Sequence, residues 1–347
     1  MKIKKAKAAI LAKSRDPLIV DEIELPEVLN VGQALVKIHY TTICGAQLNE
    51  IAAAKGPDKF LPHLLGHEAS GTVVEIGPGV STVAPGDIVV LHWRPSLGIQ
   101  SPPPSYKWRG NKLNAGWVTT FNDYAVISEN RMTPIPADYD RKIAPLLGCA
   151  VTTAAGVVNN DAKIKIGESV AIFGVGGVGL NVVQFAHLAG ANPIVAIDLV
   201  DSKLDMARVR GATNTLNAGK IKDIPSAIRE IVGVKGPDKV IETTGVKQVI
   251  EEAYDLTHAD GTCVLVGVPS EKITIYTLPI HFNKVLTGSH GGDAAPHIDI
   301  PRLIRLNKAG RLSFDGIITH EYSLDEINTA LETVRSGSAG RVVLRVG

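Results

Sequence analysis

Val170-Ala171-Ile172-Phe173-Gly174-Val175-Gly176-Gly177-Val178-Gly179-Leu180-Asn181-Val182-Val183 is the stretch that decides the fold. An apolar run, an interrupted run of glycines and a second apolar run read as a buried strand, a tight turn and a buried helix. Gly174, Gly176 and Gly179 follow G-x-G-x-x-G in the strand-then-helix setting the motif needs. Glycine lets the chain turn sharply and lets backbone N–H groups approach a pyrophosphate at the helix N-terminus. Nineteen residues after Gly179, closing the next apolar strand Ile194-Val195-Ala196-Ile197, stands Asp198. A carboxylate there accepts hydrogen bonds from an adenosine ribose and repels a 2′-phosphate, which favours NAD over NADP. Lys203, one helical turn further on, reads either as a second ribose contact or as a plain surface lysine.

Working outward, the 28 residues from Val170 to Ile197 contain no Asp, Glu, Lys or Arg. Five glycines, Pro193, Asn181, Gln184 and His187 interrupt them, which excludes a membrane span. From about Gly167 to Gly267 apolar strands alternate with helical patterns, the signature of a doubly wound parallel sheet. Upstream, short β-rich runs (Ala34 to His39, Gly71 to Ile76, Asp87 to Leu91, Tyr124 to Ser128) separated by Pro-Gly and Gly-Asp turns read as a mostly β domain. Between Trp93 and Trp117 a polar stretch with three successive prolines reads as a long surface loop. After about His290 come two helical stretches and a closing strand, Arg341 to Val346.

The 347 residues, 45% apolar and 20% charged, suit two domains. With 36 basic against 35 acidic side chains the formal net charge is +1, so no overall field attracts nucleic acid or an anionic membrane. The apolar patch Ala8 to Leu11 is too short for a signal peptide, and three cysteines make no disulfide framework, which together point to a cytoplasmic protein. Each thiol then needs its own explanation. Cys263, inside the apolar run Thr262 to Val266, reads as an inert core thiol. Cys44 and Cys149 with His67 offer two soft thiolates and an imidazole, a donor set that suits zinc with a fourth position open. Their wide spacing alone is equally compatible with core cysteines and a core histidine.

The local sequences decide between these. Leu65-Gly66-His67-Glu68 and Leu147-Gly148-Cys149-Ala150-Val151-Thr152-Thr153 resemble the zinc-ligand segments of the medium-chain alcohol dehydrogenase family, and Thr42-Ile43-Cys44-Gly45 resembles its first-ligand segment. Pro85-Gly86-Asp87, Glu242-Thr243-Thr244-Gly245, Leu265-Val266-Gly267-Val268, Gly291-Gly292 and Arg341 follow the family in order. The resemblance implies a β-rich GroES-like catalytic domain over residues 1–152 and 291–347, and an NAD-binding Rossmann domain over 153–290. It implies one catalytic zinc on Cys44, His67 and Cys149, with Glu68 behind it or as a transient fourth ligand. Thr153 and Val178 are then expected near the nicotinamide, with Thr243, Gly177, Gly267 and Val268 along the cofactor and Arg341 supporting the pyrophosphate. The implied reaction is hydride transfer between NAD and a small-molecule alcohol or carbonyl substrate. A homodimer or homotetramer is implied through the strand-like Ile273-Thr274-Ile275-Tyr276.

Three departures stand out. Ala46 occupies the place of the usual Ser or Thr that passes the alcohol proton outward, which leaves Gln47, Asn49, a bound water or the substrate's own hydroxyl to supply the relay, or a chemistry slower than or different from plain alcohol oxidation. Gln47 replaces the usual acid behind the histidine, and its amide oxygen is expected to accept the imidazole N–H. No cysteine lies between Trp93 and Asp123, so no structural zinc is expected. Trp93 sits where the family lines its substrate pocket. Beside it Arg94, Lys107, Trp108 and Arg109 read either as a face for a polyol, sugar-like or anionic group, or as a loop anchor with solvated charges. A zinc-free quinone or enone reductase and a non-catalytic NAD-binding protein are the competing readings.

Overall fold

In the computed structural model, which describes residues 1–54, 56–337 and 339–347, the chain begins with strands β1 (Lys5–Leu11), β2 (Ile19–Glu24) and β3 (Gln33–Ile43). Helix α1 (Gly45–Ile51) follows, then β4 (His63–Leu64), β5 (Ala69–Ile76), β6 (Ile88–Leu91), β7 (Tyr106–Trp108), β8 (Asn111–Leu113), β9 (Tyr124–Ser128) and β10 (Met132–Pro134). The middle of the chain holds α2 (Ala150–Gly156), β11 (Val170–Phe173), α3 (Gly179–Leu188), β12 (Ile194–Asp198), α4 (Asp201–Val209), β13 (Asn214–Asn217) and α5 (Ile224–Val232). After these come β14 (Lys239–Glu242), α6 (Lys247–Leu256), β15 (Thr262–Leu265) and β16 (Val285–Gly288). The end supplies α7 (Pro296–Lys308), β17 (Ile318–Ser323), α8 (Ile327–Arg335) and β18 (Arg341–Arg345).

Two compact units result, one of residues 1–149 with 295–347, the other of 150–294. The first is built on a sheet ordered β10-β6-β5-β3-β18-β17, with β9 also pairing β3, and a second sheet ordered β4-β1-β2-β7-β8. Strand β3 shows why: with a side-chain period of two, Leu35 enters one core with Ile10, Ile23 and Tyr106, while Ala34, Val36 and Ile38 enter the other with Val73, Val89 and Ile127. A third core packs Ile327, Ala330 and Leu331 of α8 against Ile43, Val342 and Leu344. The C-terminal segment thereby closes the first unit, since β18 runs antiparallel to β3.

The second unit is a six-stranded parallel sheet, β13-β12-β11-β14-β15-β16. Its central strand Val170-Ala171-Ile172-Phe173 is buried throughout, as expected of a parallel strand covered on both faces. The units meet the chain at 149/150 and 294/295, against the expected 152/153 and 290/291, because α2 and the turn Gly291–Asp293 pack on each other. A Cβ at Gly156 would lie 2.0 Å from the Gly292 carbonyl oxygen, so that crossing needs glycine on both sides.

Two expectations require correction. The stretch from Trp93 to Trp117 is not loop throughout: β7 and β8 form a hairpin whose β7 pairs β2. Ile273 to Tyr276 is not a strand within this chain; the sixth strand is β16, and β16 is an edge. The alternation at 273–276 lacks a neighbour to pair with, and pairing, not propensity, makes a strand.

Candidate active site

Cys44, His67 and Cys149 come together in the first unit, with their ligand atoms all within 4.8 Å of one another. Each is set by its local chain. Cys44 ends β3 and caps α1, with extended backbone at φ −104°. His67 follows Gly66, whose φ of +88° suits glycine and where a Cβ would lie 2.3 Å from Thr120 Oγ1. Cys149 follows a helical turn whose Gly148 lies against the Leu91 carbonyl, 2.3 Å from where its Cβ would be. Three loops ending three different elements thus deliver the donors.

The donors fit a zinc ion. His67 Nε2 is buried with no hydrogen-bond partner, and tetrahedral zinc with bonds of roughly 2.3 Å to sulfur holds its ligand atoms about 3.8 Å apart. A hydrogen bond from the Cys149 thiol, with the His67 ring and the Arg341 cation close by, holds the Cys44 thiol well below its ordinary range. The same hydrogen bond, with burial, pushes Cys149 well above it.

Glu68 is fully buried behind this cluster. Its Oε1 pairs with the guanidinium of Arg341, which also donates to Thr42 Oγ1 at 3.1 Å, while Oε2 has no partner. Burial raises the Glu68 carboxyl's pKa, with Arg341 opposing. The sequence reading gives Arg341 to a pyrophosphate; the structure places its guanidinium on Glu68, beneath the thiols. That pairing joins residues 273 apart, and no local pattern announces it. Thr42, the guanidinium's second acceptor, carries no signal in the sequence beyond its place two residues before Cys44.

Gln47 lies within this cluster but not as expected. Its Oε1 accepts the Cys44 backbone N–H at 2.9 Å, and its Nε2 approaches His67 Nδ1 at 2.5 Å. The amide oxygen serves the backbone rather than the imidazole, because Cys44 N–H at the start of α1 needs an acceptor. Ala46 and Asn49 are exposed.

Trp93 follows β6 and is half-buried, its carbonyl accepting from Arg131 at 2.7 Å and its ring lying 5.8 Å from Arg94. Trp108 and Arg109 do not share that face: both donate to Asp21 Oδ2, at 2.9 Å from the indole and from the guanidinium Nη2. The expected basic and aromatic patch is therefore divided, because β7 and β8 carry its second half into the other sheet. Glu129 ties the intervening chain by accepting from the backbone N–H groups of Ser81, Thr82 and Ile99 at 2.7 to 2.9 Å.

The second unit holds the dinucleotide fingerprint. Gly174 has φ +84° and its carbonyl accepts from Thr243 Oγ1 at 2.7 Å. A Cβ at Gly179 would lie 1.9 Å from the Gly174 carbonyl oxygen, whereas one at Gly176 would meet nothing within 4 Å. The turn is thus closed on the protein side and open outward, the shape that admits a pyrophosphate at the start of α3. Val178 caps α3. Asp198, at the end of β12, accepts from Val175 N–H at 2.9 Å and Val200 N–H at 3.0 Å. Lys203 stands in the first turn of α4. Gly267 and Val268 follow β15 against Gly245, where a Cβ at Gly267 would lie 2.1 Å from the Gly245 nitrogen. Thr153 is buried in α2.

Residues 30–137 match the alcohol dehydrogenase GroES-like domain and residues 177–309 the zinc-binding dehydrogenase domain. The chain is 31% identical to the S-(hydroxymethyl)glutathione dehydrogenase of Paracoccus denitrificans, over 98% of this chain and 99% of that one. Among solved structures it resembles an alcohol dehydrogenase zinc-binding domain protein from Burkholderia ambifaria (TM-score 0.91, 28% identity, 99% of each chain). It also resembles benzyl alcohol dehydrogenase from Acinetobacter calcoaceticus (TM-score 0.89, 26% identity, 99% of this chain and 100% of that one).

Proposed function

Since the chain belongs to the zinc-dependent medium-chain alcohol dehydrogenase family, we propose that it oxidises a hydroxylated, polyol-like alcohol with NAD, or reduces the matching carbonyl. The observation that carries this is the Cys44, His67 and Cys149 cradle, whose buried imidazole nitrogen lacks a partner. Zinc bound there would supply a Lewis acid to a substrate oxygen, and NAD would accept the hydride.

The chain's own residues do the rest. Glu68 and Arg341 form a buried, paired floor under the thiols, which keeps the ligand loops in register. A carboxylate closing β12, as Asp198 does, would accept from an adenosine ribose hydroxyl and repel a 2′-phosphate, which supports NAD over NADP. Half-buried Trp93, with Arg94 5.8 Å from its ring, would offer a substrate an aromatic wall with a polar rim. Ala46 has no hydroxyl to pass the alcohol proton on, so a substrate with a neighbouring hydroxyl, or a water, takes that part. The polyol preference rests on this gap and on Arg94.

We also infer that two copies associate along β16, an edge strand preceded by the exposed Tyr276, Leu278, Ile280 and Phe282. Edge strands with apolar neighbours are templates for pairing.

The test is formation of NADH from a panel of polyols, aliphatic and aromatic alcohols, run in parallel with NADP and with Cys44→Ser. The expected result is turnover of polyols with NAD that Cys44→Ser abolishes. Hydride transfer that survives the loss of Cys44 would refute a metal mechanism.

A further inference from the structure

Gln47, 2% exposed, bridges two of the three metal donors. A backbone N–H can only donate, so the Cys44 N–H fixes the oxygen end of the amide. The NH2 end is thereby turned to His67 Nδ1. An amide NH2 also only donates, so Nδ1 must accept, and in a neutral ring the proton then sits on Nε2. Nε2 is the buried ring atom left for the thiols, and a proton there occupies the lone pair that a metal needs. Ligation through Nε2 requires the other tautomer, with Nδ1–H directed at an acceptor. The acceptor beside Nδ1 would be the same Gln47 oxygen, which has a second lone pair but lies on the Cys44 side and must turn toward the ring to use it.

We propose that Gln47 is a positioning residue that weakens and gates metal capture: the metal enters only as the amide turns over. In that step the Nε2 proton leaves to solvent and Nδ1 takes one up, so the ring stays neutral, and the Cys44 N–H must share the amide oxygen with Nδ1–H. A carboxylate of the same length has two accepting oxygens, one for Cys44 N–H and one for Nδ1–H, and needs no such exchange. The inference rests on the zinc reading of the site.

Two measurements test it. Imidazole 15N shifts of the metal-free protein, taken where the ring is neutral and assigned with His67→Gln, are expected to show the Nε2–H tautomer of His67 in the wild type. Gln47→Glu is expected to show Nδ1–H. Zinc affinity by chelator competition is expected to be about tenfold higher in Gln47→Glu. Equal affinities, or an Nδ1–H ring in the metal-free wild type, overturn the proposal. Failure of both proteins to take up zinc overturns the metal reading and the proposal with it. Should Gln47→Glu fail to fold, the wild-type tautomer decides alone.

Discussion

Three thiols in one chain have three different fates, each fixed by surroundings a few ångströms wide. Cys44 is held well below the ordinary thiol range by its hydrogen bond with Cys149, whereas burial pushes Cys263 up to about 12. Because the thiolate is the nucleophile, iodoacetamide at pH 7 is expected to label Cys44 first in metal-free protein and to leave Cys263 unmodified. Peptide mapping reads this, and added zinc should protect Cys44. The buried pair Glu68 and Arg341 makes a second prediction at this scale. Arg341→Met leaves a buried carboxylate without its cation and should cost about 3–5 kcal/mol, while adding Glu68→Leu should recover most of it. Urea unfolding of the single and double variants checks both. That Cys44, His67 and Cys149 come together was legible in the sequence because each sits in a short distinctive segment. The Glu68 to Arg341 pair and the orientation of Gln47 were not, since they depend on which atoms meet after folding.

At the level of elements, glycine and pairing partners decide what forms. The strand, turn and helix at Val170 to Leu188 could be read directly, because a buried parallel strand and a glycine turn have compositions few other structures share. The turn has no slack. In Gly179→Ala the added methyl carbon would fall 1.9 Å from the Gly174 carbonyl oxygen, so the backbone N–H groups must splay. Calorimetry should show NAD affinity reduced at least tenfold, about 1.4 kcal/mol, with the thermal transition of the rest of the protein kept. An unchanged affinity would mean that this turn does not hold the phosphates. The β7–β8 hairpin escaped notice for the opposite reason. Strands of three residues carry too few alternations to register, and what makes them strands is the edge of β2 and each other.

For the whole molecule, the order of β-rich, doubly wound and closing segments was visible in composition and periodicity, whereas the placement of the last segment with the first followed only from the family resemblance. Residues 295–347 belong with residues 1–149 because α8 and β18 complete a core that Ile43 and Leu65 begin. Among the described residues no helix is long and apolar enough to cross a membrane. The exposed edge of the second unit carries the prediction for assembly. Phe282, 67% exposed beside β16, should become monomer-forming as Phe282→Asp, while wild type sediments as a dimer or larger. A monomeric wild type at micromolar concentration would set aside association through this edge.

The long return of the chain also has a consequence in time. A ribosome delivers Cys44, His67 and Cys149 early, yet Arg341, the cation under Glu68, only among the last residues. Until β18 has slotted between β3 and β17, Glu68 faces the nascent core without its counter-ion. The donor cluster is therefore expected to gain its buried cation only after residue 341 has been made, and a chain arrested before it would carry the two thiols and the imidazole without the ion pair beside them.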